Sequence, residues 1–267
     1  MNHTSIEWTD ATWNPTTGCT KISPGCTYCY SERLSLRLRK MGVQKYENEF
    51  RFTLHPSQLD LPLRWRKPRK IFVNSMSDLF HEEMPDNFLQ SIFSVIKRAN
   101  WHIYQILTKR PERMLDFVDR HREAIPEHVW MGVTVEAEEC KSRIDLLREV
   151  PARIRFISFE PLLNPVGTID LRGVLWVIAG GESGPNRRIM KPEWVREIRD
   201  QCVQQCVPFF FKQWGGFRPR SGGRLLDGKT WDEYPSIGVD HLKIQPLEGS
   251  LDVSCLPNGK DVFVQRC

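Results

Sequence analysis

KIFVNSMSD, residues 70–78, is a short run of β-branched and aromatic residues (Ile71, Phe72, Val73) that breaks abruptly into polar ones. Such a run is too short for a buried helix and reads as a strand with chemistry at its carboxyl end. The same syntax recurs along the chain. HIYQIL (102–107) ends in TKR, VWMGV (129–133) in TVE, and IRFI (154–157) in SFEP. LWVIA (175–179) ends in GGES and PFFF (208–211) in KQWGG. Amphipathic stretches separate most of these runs: Asp86 to Ala99 with Phe88, Ile92 and Ile96, and Pro111 to His121 with Met114, Leu115 and Val118 inward. Glu138 to Glu149 and Pro192 to Cys206 read as two more helices, the last opened by proline at its first turn. Strands joined by helical crossovers are parallel. With a further strand around Thr12, the pattern gives about seven βα units. A doubly wound sheet shares it, but strands that nearly all end in polar residues point to one common mouth, hence an α/β fold of the barrel kind. The syntax stops near residue 217. We therefore expect a barrel over 1–216 and an irregular C-terminal extension over 217–267.

The chain of 267 residues is long enough for that core, and 40% hydrophobic with 27% charged residues is ordinary for a soluble protein. No apolar run approaches the roughly 20 residues that cross a bilayer, which excludes a membrane-spanning chain. A net charge of +5 is compatible with a nucleic-acid partner without demanding one. The basic residues are concentrated in two places. One is the expected helix Glu32 to Met41, with Arg33, Arg37, Arg39 and Lys40; the other is RWRKPRK (64–70), where an indole stands among cations suited to phosphates.

The loop GCTKISPGCTYCY, residues 18–30, carries Cys19, Cys26 and Cys29. Gly18, Pro24 and Gly25 set tight turns, so three thiolates can curl around one centre. A structural zinc site wants four ligands, usually as two close pairs, and no fourth Cys or His is near. Three thiolates suit an iron-sulfur cluster in which one iron keeps an open position. Zinc completed by a distant residue, or a disulfide plus a free thiol, are the alternatives. Eight cysteines and a polar start, MNHTSIEWTD, point to a reducing cytoplasmic setting, which disfavours the disulfide.

This loop resembles the cluster loop of the radical S-adenosylmethionine (SAM) superfamily, including the aromatic before the last cysteine, Tyr28, which there lies near the adenine of SAM. The first gap departs from that pattern: six residues here, three usually. The chain also resembles a phage- and prophage-associated family of three-Cys-motif proteins, in IEWTDATWNPTTGC, NSMSDLF, LTKRPERM, SFEPLL, GGESG and FFKQWGG. The superfamily resemblance implies a partial or open (β/α) barrel with the cluster at its mouth, a [4Fe-4S] cluster on Cys19, Cys26 and Cys29, SAM on its open iron, and reductive cleavage to a 5'-deoxyadenosyl radical. It also implies contacts from Asn74, Ser75, Ser77 and Asp78 to the SAM amino group, and from Thr134 and Glu136 to the ribose. Asp78, Ser77, Thr134 or Glu136 could equally cap the helix that follows.

Lys109 and Arg110 put two positive charges at a strand end, fit for a phosphate or the SAM carboxylate. Glu160 and Lys212 end two other strands, either facing substrate or paired with each other. Glu182 reads as a substrate-facing carboxylate; the Gly180-Gly181-Glu182 run lies too late in the chain to be the superfamily's SAM motif. Trp214 would be a stacking wall for a base, or core. Cys140, Cys202 and Cys206 read as small core residues, with Cys202 and Cys206 one helical turn apart, and Cys255 and Cys267 fall in the tail. The expected activity is modification or repair of a base in DNA or RNA, which in a duplex requires flipping, with an electron donor such as flavodoxin or ferredoxin. Two alternatives use the same residues: a zinc-stabilised nucleic-acid-binding module, and a radical enzyme modifying a partner protein.

Overall fold

A computed structural model describes residues 4–121 and 125–236. The chain divides into two compact units, residues 1–134 with 142–153, and residues 135–141 with 154–267.

In the first unit, β1 (Ala11–Trp13) leads into β2 (Thr16–Thr17), which pairs antiparallel with β3 (Thr53–Leu54). Between β2 and β3 lies α1 (Tyr30–Lys40). β4 (Lys70–Val73), β5 (Ile103–Thr108) and β6 (Val129–Thr134) follow, separated by α2 (Asp86–Arg98) and α3 (Pro111–Arg120), and α4 (Arg143–Glu149) completes the unit. The strands run parallel in the order β1-β4-β5-β6. β4 to β6 are buried almost throughout, which is why they read as apolar runs without alternation. α2 buries Leu89, Ile92, Phe93 and Ile96, with Phe88 only half-buried, so its inward face lies one residue further round than the spacing from Phe88 predicts. α3 turns Met114, Phe117 and Val118 inward, and the Phe117 ring packs tilted against Phe93 with ring centres 5.2 Å apart.

In the second unit, β7 (Ile154–Phe159), β8 (Trp176–Gly180) and β9 (Phe209–Gln213) are parallel in that order, with α5 (Pro192–Gln204) before β9. Their core holds Phe156, Trp176, Phe209, Phe210, Phe211, Ile198 and Cys202. The stretch Glu138 to Glu149, expected as one helix, is a single 3-10 turn at Glu138–Cys140 followed by α4. Among the described residues no helix lies between β7 and β8.

An outer strand leaves unpaired backbone groups open to association, and residues 231–233 cover those of β9. The Phe211 N–H donates to the Trp231 carbonyl, the Glu233 N–H to the Phe209 carbonyl, and the Glu233 carboxylate accepts from the Phe209 N–H at 2.8 Å. The first part of the expected extension is therefore fixed to the second unit; Cys255 and Cys267 lie outside the described residues. Seven parallel strands among the described residues, four in one unit and three in the other, give the open α/β class expected from the sequence. No described helix is long and apolar enough to cross a membrane.

Candidate cluster site

The first unit gathers the three-cysteine loop and the ends of β1, β4 and β5. Gly18 begins the loop with φ +82°, a left-handed conformation, and a side chain there would stand 2.0 Å from the Arg51 carbonyl oxygen. Only glycine fits. Its N–H donates to the Met76 carbonyl at 3.0 Å and the Cys19 N–H to the Phe50 carbonyl at 3.1 Å, pinning the loop between two segments. Cys26 closes the 3-10 turn Pro24–Cys26, and Cys29 is the residue before α1. The start of α1 is held at the end of β4: the Tyr30 hydroxyl and the Ser31 hydroxyl both donate to the Ser75 carbonyl, at 2.5 and 3.0 Å.

All three thiols are free and half-buried. Cys26 acts electrostatically on Cys19, and Lys21 feels both Cys26 and Cys29, so the three share one neighbourhood. Burial, then the Asp78 charge, pushes the Cys19 thiol up to about 12, while Arg110 opposes them from 3.5 Å. No three His, Cys, Asp or Glu side chains among the described residues already form a group able to hold a metal ion.

Behind Cys19 stands a buried charge network. Asp78 accepts from the Phe80 N–H (2.9 Å) and Thr108 hydroxyl (2.7 Å) on one oxygen, and from the Lys109 N–H (3.0 Å) and Arg110 Nη1 (3.2 Å) on the other. Arg110 donates as well to Glu82 at 2.8 Å and to the Thr20 hydroxyl at 2.7 Å. Thr20 also meets His81 Nε2 at 3.2 Å and donates to Glu82. His81 is fully buried, stacked on Phe52 with ring centres 4.3 Å apart. Its Nδ1 accepts the Glu83 N–H, which leaves the proton on Nε2. Arg110, expected to meet a phosphate or the SAM carboxylate, is tied instead to Asp78, Glu82 and Thr20. Thr20, His81, Glu82 and Phe52 escaped the sequence reading; the one signal for them is HEE, residues 81–83, directly after NSMSDLF.

Glu82 yields a prediction. Burial pushes its carboxyl up, but the Thr20 hydroxyl, its own backbone N–H and Arg110 outweigh this and hold it down to about 2, from an ordinary 4.5. A depressed folded-state pKa contributes stability that is complete above 4.5 and lost as pH falls through about 2. Glu82→Gln is expected to flatten the fall in stability between those values, measured by urea unfolding across acid pH; a profile identical to that of the unmodified protein would contradict the assignment.

The remaining strand-end residues divide. Asn74, φ +59°, is 3% exposed; its amide donates to Thr16 Oγ1 at 2.8 Å, while its Oδ1 has no partner among the described residues. Asn14 clasps the same turn, accepting the Met76 N–H at 3.0 Å and meeting the Ser75 hydroxyl at 3.2 Å. The Ser77 hydroxyl accepts from Thr16 at 3.1 Å. Thr134 is buried at the end of β6, its carbonyl accepting from Arg143 at 2.7 Å. Lys109 and Tyr28 are half-buried. Trp65, from the basic run, has the Arg69 guanidinium 5.1 Å over its ring, and its carbonyl accepts the Trp101 indole N–H at 2.7 Å.

In the second unit Glu136 is fully buried. Glu160 and Lys212 form an ion pair at 2.5 Å, the paired alternative of the sequence reading. Glu182 is gripped by Arg188, whose backbone N–H and Nε reach Oε2 at 2.9 and 3.0 Å and whose Nη2 reaches Oε1 at 2.7 Å. Trp214 donates its indole N–H to the Leu225 carbonyl at 2.7 Å and packs edge-on to Phe211. Gly181 lies where a side chain would stand 2.1 Å from the Trp214 carbonyl oxygen, which accounts for the second glycine in GGES.

No curated protein matches the chain. Among solved structures, spore photoproduct lyase complexed with dinucleoside spore photoproduct is 12% identical with a TM-score of 0.42, over 76% of this chain and 64% of that one. A cysteine-to-serine mutant of the same lyase gives 13% and 0.43 over the same shares. A form with bound AdoMet and dinucleoside spore photoproduct gives 12% and 0.40 over 73% and 62%. This chain spans less than two thirds of their length. Residues 3–235 match the family described as "Protein of unknown function (DUF5131)", and the chain belongs to that family.

Proposed function

We propose that the chain is a radical SAM-like enzyme whose Cys19, Cys26 and Cys29 hold a [4Fe-4S] cluster and whose substrate is a nucleic-acid base. The observation that carries this reading is the meeting, in one unit, of three free thiols on one loop and a buried, unpartnered acceptor, Asn74 Oδ1, on the turn that anchors that loop. The donor set fits: three thiolates leave one iron open, and the orphaned oxygen offers a partner to the SAM ammonium.

Such a cluster would supply an electron, taken from a reduced donor, that breaks the sulfur–C5' bond of SAM to give methionine and a 5'-deoxyadenosyl radical able to take hydrogen from substrate. The chain's residues bind and orient. Cys19, whose proton burial holds firmly, would give it up to a bound metal, and Arg110 would favour the thiolate. Asp78 has both oxygens committed to backbone and side-chain donors, so its part is to lock the ends of β4 and β5 beneath the loop. Asn74 Oδ1 is left for the SAM amino group. Thr134 and Glu136 are proposed for the ribose and Tyr28 for the adenine. Lys109, Glu160, Glu182, Lys212 and Trp214 are proposed for substrate, with the carboxylates first parting from Lys212 and Arg188. The basic surface of α1, where Arg37, Arg39 and Lys40 are exposed, supports a nucleic-acid partner. An electron donor such as flavodoxin or ferredoxin is required.

The test is formation of 5'-deoxyadenosine by anaerobically reconstituted protein given SAM and dithionite, followed by titration with single-stranded and duplex DNA and RNA at several salt concentrations. The expected result is cleavage that depends on the three cysteines and binding that weakens steeply with salt. Cleavage without salt-dependent binding would remove the nucleic-acid substrate and favour a protein one.

A further inference from the structure

Side chains from the segments 44–48 and 53–58 of the first unit line an open polar cleft of about 420 Å³, within the range of small-ligand sites. It has no part in the cluster reading. Its lining includes a half-buried cation, Lys45, whose Nζ donates to the Asn14 carbonyl at 2.8 Å. No carboxylate among the described residues pairs with it; Glu47 lines the cleft but is exposed. An ammonium has three N–H groups, so donors remain after the bond to Asn14. Beside it, His55 meets the Thr17 hydroxyl at 2.8 Å and donates its backbone N–H to the Pro15 carbonyl. Gln44, Asn48 and Ser57 add neutral donors.

We propose that this cleft binds a phosphoryl group, with Lys45 as its charged contact. Several donors around one uncompensated cation suit an anion whose oxygens accept from many directions. The electrostatics agree: burial lowers Lys45 to about 8, and burial with the Lys45 charge pushes His55 down to about 4, so both bases lack a counter-charge that an anion would supply. Lys45 touches Asn14, and Asn14 holds the Ser75–Met76 turn, so occupancy bears on the end of β4. The phosphoryl group belongs either to a free phosphorylated molecule or to a nucleic-acid backbone.

Titration of the full chain with inorganic pyrophosphate, followed by calorimetry, tests this without any cluster. Saturable binding of one pyrophosphate per chain is expected, weakened at least about tenfold by Lys45→Met in a protein whose circular dichroism is unchanged. Displacement of a bound single-stranded oligonucleotide by pyrophosphate assigns the group to a nucleic-acid backbone; binding without displacement assigns it to a free molecule. Absence of saturable binding, or binding that Lys45→Met leaves intact, overturns the proposal. Should that variant not fold, acetylation of Lys45 in the unmodified protein, read by peptide mass spectrometry, is expected to slow on adding pyrophosphate, and an unchanged rate overturns it.

Discussion

Arg110→Met is expected to cost about 3–5 kcal/mol of unfolding free energy, because it removes one partner of a buried ion pair and strands the other. Asp78 would keep its three donors from Phe80, Thr108 and Lys109 but lose its counter-charge in a site where both side chains are 9% exposed. Glu82, at 52% side-chain exposure, turns to water and loses less. Asp78→Asn combined with Arg110→Met should recover part of the loss, since the stranded charge is gone. Urea unfolding of the single and double variants measures both. Equal stability of Arg110→Met and the unmodified protein would show that the network is not a buried ion pair in solution.

Gly18→Ala carries the second large expected effect. A left-handed conformation costs a side-chain-bearing residue about 1–3 kcal/mol, and forcing a methyl group into filled space adds about 1–3 kcal/mol. Here the new carbon would meet backbone, the Arg51 carbonyl at 2.0 Å, so no side chain can swing aside. Relief requires the chain at residue 18 to move, and Cys19 moves with it. The variant is expected to lose stability and bind less iron on reconstitution. Gly42→Ala is the control: its φ is also positive, at +74°, but a side chain there meets nothing within 4 Å. It should show the conformational cost alone and keep its iron. Equal behaviour of the two variants would remove the close approach to Arg51 as the reason for glycine.

The parallel strands were legible because strands buried on both faces leave unbroken apolar runs such as IFV and WVIAG, and because helices with a proline first turn or a clear stripe stand between them. The pair β2 and β3 was not, since two residues on each side carry no periodicity and their pairing is set by contacts distant in sequence. Nor was the break between Glu138–Cys140 and α4, where EECKSR looks helical throughout. In the site, the cysteine loop announced itself through residue type and spacing. The commitment of Arg110 to Asp78 did not, because a cation after a strand reads alike whether it faces solvent or a carboxylate contributed by another strand end. Thr20 and Glu82 were invisible for the same reason: their meaning lies in a contact across some sixty positions of sequence. Glu182 shows the converse, a carboxylate whose partner, Arg188, is only six residues away yet lies beyond the polar strand end that drew the eye.

Iron and sulfide content after anaerobic reconstitution, set beside a variant carrying Cys19→Ala, Cys26→Ala and Cys29→Ala, tests the central claim most directly. About four iron and four sulfide per chain in the unmodified protein, and neither in the variant, is the predicted result. A colourless protein holding one zinc that the same three substitutions release would contradict the cluster and leave a zinc-stabilised binding module in its place.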